Sequence, residues 1–162
     1  MPKYHYRYRK PQRRHFPVRL ALVLLALLAL CIYPFIEART LTVDEHTVQV
    51  ANLPANLKNL KIVYATDIHQ GRWFSQSRVN ELVKTINGLS ADLVILGGDY
   101  AEDSDGAIEF FENLPSISAR IGVYAVLGNH DRTEPESNLS VLIGTIKGRG
   151  IIPLVNNVAA VK

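Results

Sequence analysis

From residue 58 onward, short apolar runs alternate with segments of helical spacing. "KIVYATD" (61–67), "DLVILGGD" (92–99), "RIGVYAVLGNHD" (120–131) and "IIPLVNN" (151–157) are compact and partly β-branched, as strands buried on both faces are. Between them, "SQSRVNELVKTINGLS" (75–90) sets Val79, Leu82, Val83 and Ile86 on one helical stripe. Ser75 or Ser77 can cap its start and Gly88 can stop it. "AIEFFENL" (107–114) predicts a short helix behind the acidic loop "EDSDG". "NLSVLIGTIKGRG" (138–150) predicts a third helix, ended by Gly148 and Gly150. Strands that alternate with helices predict an α/β fold with a mainly parallel sheet and right-handed crossovers. His46 and the acidic run have no partner pattern and read as surface.

The first 57 residues follow other patterns. "LALVLLALLALCIYPFI" (20–36) is uncharged and apolar all round, which predicts a membrane-spanning or signal-anchor helix, with Pro34 kinking or ending it. "LTVDEHTVQV" (41–50) alternates, as a half-exposed strand or hairpin arm does, and Pro54 with nearby asparagines reads as a turn. The expected organisation is a basic arm (1–19), the anchor helix (20–36), a linker with a β-hairpin (37–57) and one domain (58–162).

Charge sharpens this division. Of 18 Lys and Arg, seven lie in residues 1–19, which hold no acid; the remaining 11 face all 15 acids, a net of −4. The overall +3 therefore belongs to the arm, and a nucleic-acid partner is not expected. A basic flank before an apolar span places the arm in the cytoplasm by the positive-inside rule. The expected protein is single-pass in the inner (cytoplasmic) membrane, with its domain extracytoplasmic. "QRRHFPV", with Arg13 and Arg14, resembles a twin-arginine export signal, although the positive-inside rule accounts for the same charges. "FIEAR" offers only Ala38 toward a cleavage site, so retention as an anchor is expected.

In an open α/β sheet, ligands bind outside the carboxyl ends of the strands. Three of these ends carry ligand-type residues. Asp67 and His69 lie two apart on an expected extended segment and so point to one side. Asp99 follows Gly97-Gly98, and Asn129, His130 and Asp131 follow Gly128. Carboxylate and imidazole together suit Mn, Fe, Zn or Mg. A histidine titrating near neutrality can move a proton.

The set "DIH", "GGDY" and "GNHD", about thirty residues apart, resembles the calcineurin-like metallophosphoesterases over roughly residues 58–160. It looks closest to their bacterial membrane-associated phosphodiesterase branch. The resemblance implies the N-terminal half of a β-sandwich flanked by helices and a centre of two divalent metal ions. It implies Asp67 and His69 on the first metal, Asp99 bridging both and Asn129 on the second. His130 would face the phosphate, with Asp131 orienting it and Asn129 beside it. Apart from the resemblance, Arg72 and Arg132, three residues past His69 and Asn129 respectively, could steer or bind the substrate anion. The implied reaction is hydrolysis of a phosphate ester by a hydroxide held between two cations, at the outer face of the membrane. A lipid-linked ester suits an anchored site.

The family completes its metal shell with later histidines, whereas this sequence has none after His130. The chain is therefore expected to be a fragment that needs the C-terminal half or a partner chain to complete the site, with one apolar sheet face left open. A non-catalytic, membrane-anchored remnant that binds metal or a partner is the alternative. Neither Gly-x-Gly-x-x-Gly nor Gly-x-x-x-x-Gly-Lys-Ser/Thr occurs, which disfavours nucleotide binding.

Overall fold

The computed structural model describes residues 18–37, 39–133 and 137–161. The twin-arginine reading of Arg13 and Arg14 falls outside these residues. The chain divides into two units, Met1–His46 and Thr47–Lys162.

In the first unit, α1 spans Val18–Glu37 and buries no residue. Its 20 residues make a helix of about 30 Å, the thickness of a bilayer's hydrocarbon core, so it is long and apolar enough to cross a membrane. Pro34 does not end it; the helix continues three residues further, to Glu37. The hairpin expected at 41–50 is not formed. Those residues are irregular and almost all exposed, and no strand lies beside them among the described residues. Alternation supplies one apolar face, but a strand also needs a neighbour for its N–H and C=O groups.

The second unit holds β1 (Ile62–Ala65), α2 (Gln76–Gly88), β2 (Leu93–Leu96), α3 (Ser104–Asn113), β3 (Gly122–Ala125), α4 (Ser137–Gly148) and β4 (Ile152–Pro153). Its four strands are parallel and ordered β1-β2-β3-β4, with Val63, Val94 and Val123 in one register row and Ala65, Leu96 and Ala125 in another. The expected alternation is present, with strands shorter than the apolar runs.

Helix α2 begins after Ser75, which holds the N-cap position without a side-chain bond. Helix α3 starts three residues earlier than expected. Asp103 caps it, accepting a hydrogen bond from the Gly106 N–H at 2.8 Å, so the acidic loop is partly a helix start.

One face of the sheet is covered. Val79, Val83 and Ile86 of α2, Phe110 and Phe111 of α3, and Leu142 and Ile146 of α4 share one core with Val94, Leu96, Val123 and Ala125. Each of the Val, Leu, Ile and Phe side chains among them contributes about 1.5–3 kcal/mol on burial. The other face carries the alternate residues. Leu93 and Tyr124 are buried there, but Ile62, Tyr64 and Ile152 are 50%, 62% and 44% exposed. That is the apolar face the sequence leaves open.

Candidate metal centre

Beyond Ala65 and Leu96 the two chains stay zipped without forming a regular ladder. The N–H groups of Asp67, His69 and Gln70 donate to the carbonyls of Gly98, Asp99 and Tyr100 at 3.1, 3.0 and 2.7 Å. Asp67, His69 and Asp99 all take left-handed backbone angles, with φ of 54°, 45° and 54°. The expected extended segment is therefore corrected. Asp67 and His69 converge because each turns the chain sharply, a conformation that costs non-glycine residues about 1–3 kcal/mol. One ligand atom from each of Asp67, His69 and Asp99 lies within 4.8 Å of the others. Two carboxylates and an imidazole fit a divalent cation of the Mn, Fe, Zn or Mg kind.

Tyr100 and Asp131 hold Asp99 in place. The Tyr100 ring is fully buried against Phe110 and Phe111, at centroid distances of 5.3 and 4.6 Å. Its hydroxyl proton is shared between the carbonyl oxygens of Val126 and Leu96, at 2.6 and 3.0 Å. Burial, with the nearby Asp131 carboxylate second, pushes the phenol far above its ordinary value and keeps it neutral.

Asp131 is also fully buried. Its carboxylate accepts from the N–H groups of Asp99 and Gly128, both at 2.8 Å, and of Tyr100 at 3.0 Å. These bonds give Asp131 a structural task of its own, beside the orienting of His130 that the resemblance implies. Both of its oxygens bind backbone, joining the loops after β2 and β3. Those loops approach so closely that side chains could not fit. A Cβ on Gly98 would overlap the Gly128 nitrogen, and Gly98 has φ +97°; a Cβ on Gly128 would overlap the Asp99 carboxylate.

His130 opens a short 3-10 turn, His130–Arg132, after Asn129. Its backbone N–H donates to Asp99 Oδ1 at 3.0 Å, and its ring lies edge-on to His69 with centroids 4.9 Å apart. Nδ1 sits 3.0 Å from the Glu102 carbonyl oxygen. A carbonyl only accepts, so Nδ1 carries the proton and Nε2 is left for other partners. The bond to the Glu102 carbonyl, followed by the Asp99 and Glu102 charges, raises the His130 pKa above its ordinary 6.5 despite some opposing desolvation.

Glu102 is a candidate site residue that sequence reasoning missed. Its carboxylate lies 3.8 Å from His69 Nδ1, and Glu102 forms a second possible metal-holding group with His69 and His130. Its segment is clamped in place, as the Ser104 N–H donates to Thr133 Oγ1 at 2.9 Å. The Glu102 position, three residues past Asp99, was the available signal, but it sits inside a run of acids that resembles solvated surface.

Asn129 is exposed and its side chain makes no capping bond. Arg132 is exposed on the turn. Arg72 is exposed and stacks on Trp73, its guanidinium carbon 5.5 Å from the ring centroid. Neither arginine is paired with the cluster among the described residues.

Residues 60–158 match the family model described as calcineurin-like phosphoesterase. The chain is similar to a zebrafish (Danio rerio) protein named as a transmembrane protein with metallophosphoesterase domain. The two are 32% identical over 114 residues, 69% of this chain and 26% of the relative. It is similar to an uncharacterized metallophosphoesterase of Campylobacter jejuni, 30% identical over 111 residues, 68% of this chain and 29% of the relative. Another, from Bacillus subtilis, is 26% identical over 100 residues, 60% of this chain and 35% of the relative. The chain thus spans about a quarter to a third of the length of these curated relatives. With the family model covering more than half of the chain, and its motif residues converging at the strand ends, this chain belongs to the calcineurin-like phosphoesterase family.

Proposed function

We propose that this chain carries part of the active site of a metal-dependent phosphoesterase anchored in a membrane by α1. The observation that carries the reading is the convergence of Asp67, His69 and Asp99 within 4.8 Å, with His130 edge-on to His69. Divalent cations held by Asp67, His69, Asp99 and Asn129 would polarise the phosphoryl oxygens and ease deprotonation of water. In this reading Asp67 and His69 would serve a first cation, Asn129 a second, and Asp99 both. His130 uses Nδ1 to fix its ring on the Glu102 carbonyl and presents Nε2 to the substrate. Its raised pKa suits stabilisation of developing negative charge or protonation of the leaving oxygen. Arg72 and Arg132 steer the anion from the rim. The domain, residues 58–162, lies on the extracytoplasmic side of the inner membrane behind a linker at 37–57.

A second reading, a non-catalytic anchored protein that binds metal or a partner, is favoured by the exposed apolar residues Ile62, Tyr64 and Ile152. One experiment separates the two. The full chain is assayed with bis(p-nitrophenyl) phosphate, with Mn²⁺ or chelator, beside Asp99→Asn, and Mn²⁺ binding is measured on the same samples. Turnover that requires Mn²⁺ and Asp99 is expected under the first reading. Binding of Mn²⁺ without turnover supports the second.

A further inference from the structure

The turn behind His69 is built to hold an aromatic residue out in water. Gly71 N–H donates to the Phe74 carbonyl at 3.0 Å and closes the turn. Phe74 packs against the core, and the Arg78 guanidinium lies 4.4 Å from its ring centroid. Arg78 also donates to the Trp73 carbonyl at 3.4 Å. With Gly71 and Phe74 bonded to each other around it, Trp73 projects outward, 79% exposed, and the Arg72 guanidinium carbon lies 5.5 Å from its ring centroid. It stands four residues after a candidate metal ligand, His69.

We infer that the Arg72-Trp73 turn docks on the headgroup layer of a phospholipid bilayer. Indole favours this zone because its ring enters the acyl boundary while its N–H stays among polar groups. A guanidinium beside it can bind lipid phosphate through two parallel hydrogen bonds. The same chain carries a helix long enough to span a bilayer, so a lipid surface is the partner within reach. Trp73 and His69 share one loop, so docking would set the metal-ligating segment at the lipid surface. The ester would then be presented by the membrane. This inference rests on the reading of α1 as a membrane anchor and sharpens the substrate class to lipid-borne phosphate esters.

The test uses the fact that Trp73 is the sole tryptophan in the chain. The full chain is reconstituted in phosphatidylcholine vesicles, with and without phosphatidylglycerol, and its emission is followed with brominated lipids and with aqueous acrylamide. The expected result is a blue-shifted emission that loses more than half its intensity to brominated lipid and is protected from acrylamide. Arg72→Gln should weaken both effects, and Arg72→Lys should retain part of them. Emission typical of water-exposed indole, fully open to acrylamide, overturns the inference. So does shielding without bromolipid quenching, which would mean a protein cover, or quenching seen only with added nucleotide, which would mean base stacking. No turnover enters the measurement, so failure of the hydrolytic reading and failure of this one are seen separately.

Discussion

The two ends of the same parallel sheet treat charge in opposite ways. At the amino end, Asp92 accepts from the Lys61 N–H at 2.9 Å and from Arg120 Nε at 2.6 Å, and its pKa falls, chiefly through the Lys61 bond. The charge there is matched, and none of Lys61, Asp92 and Arg120 is itself in a left-handed conformation. At the carboxyl end, Asp67, Asp99 and Glu102 gather with no Lys or Arg paired to them among the described residues. Left-handed backbone at three ligand positions and a buried Asp131 hold them there. Matched charge at one end is surface chemistry. Unmatched charge, held together at local conformational cost, calls for a cation from outside.

The comparison breaks most readily at His130. Its exchange for Gln should lower metal-dependent turnover by about 10²–10⁴-fold. If protonated His130 acts, activity should persist to higher pH than a free imidazole allows and decline as pH rises through its raised pKa. That alkaline limb should vanish in His130→Gln. Glu102→Ala should move the limb only slightly to lower pH, because the Glu102 carbonyl, the leading cause of the shift, survives the substitution. A large move would make the carboxylate the dominant partner.

Next in size is Asp131→Asn. Asparagine has one acceptor oxygen where three backbone N–H groups need partners, so the change should cost about 1–3 kcal/mol. For a domain of this size that is a Tm loss of several degrees. Mn²⁺ affinity should fall with it, because Asp99 and Gly128 lose their shared support. Calorimetry and metal titration on the same variant would show whether the two losses travel together.

The smallest effect belongs to Asp92→Asn. A carboxyl with its folded pKa below the ordinary 3.8 contributes stability above about pH 4 and loses it as pH falls through the lowered value. Acid unfolding of the variant should begin almost where the parent's does, since the group is solvated. A large difference would mean that the amino end, too, stores energy in its charges.

Much of this was readable from residue order. The four strands and the α2 stripe follow from periodicity, and the positions of Asp67, His69, Asp99, Asn129 and His130 follow from the rule about carboxyl ends. Three things did not. The left-handed angles at Asp67 and His69 arise from zipping onto the β2 loop, a long-range contact that local pattern does not encode. The role of Asp131 depends on three backbone N–H groups, two of them about thirty positions away in the chain. Glu102 looked like solvated acid until the fold placed its carbonyl on His130.

The strand order β1-β2-β3-β4 has one more consequence. Right-handed crossovers that always step in the same direction put their helices on a single side. A sheet wound this way has no point where the strand order reverses, so no cleft opens between helices that diverge to opposite sides. The candidate metal ligands stand instead on a ledge, with Asp67 and Asn129 exposed at its lip. Among the described residues, a ledge leaves these positions open to solvent rather than walled between helices.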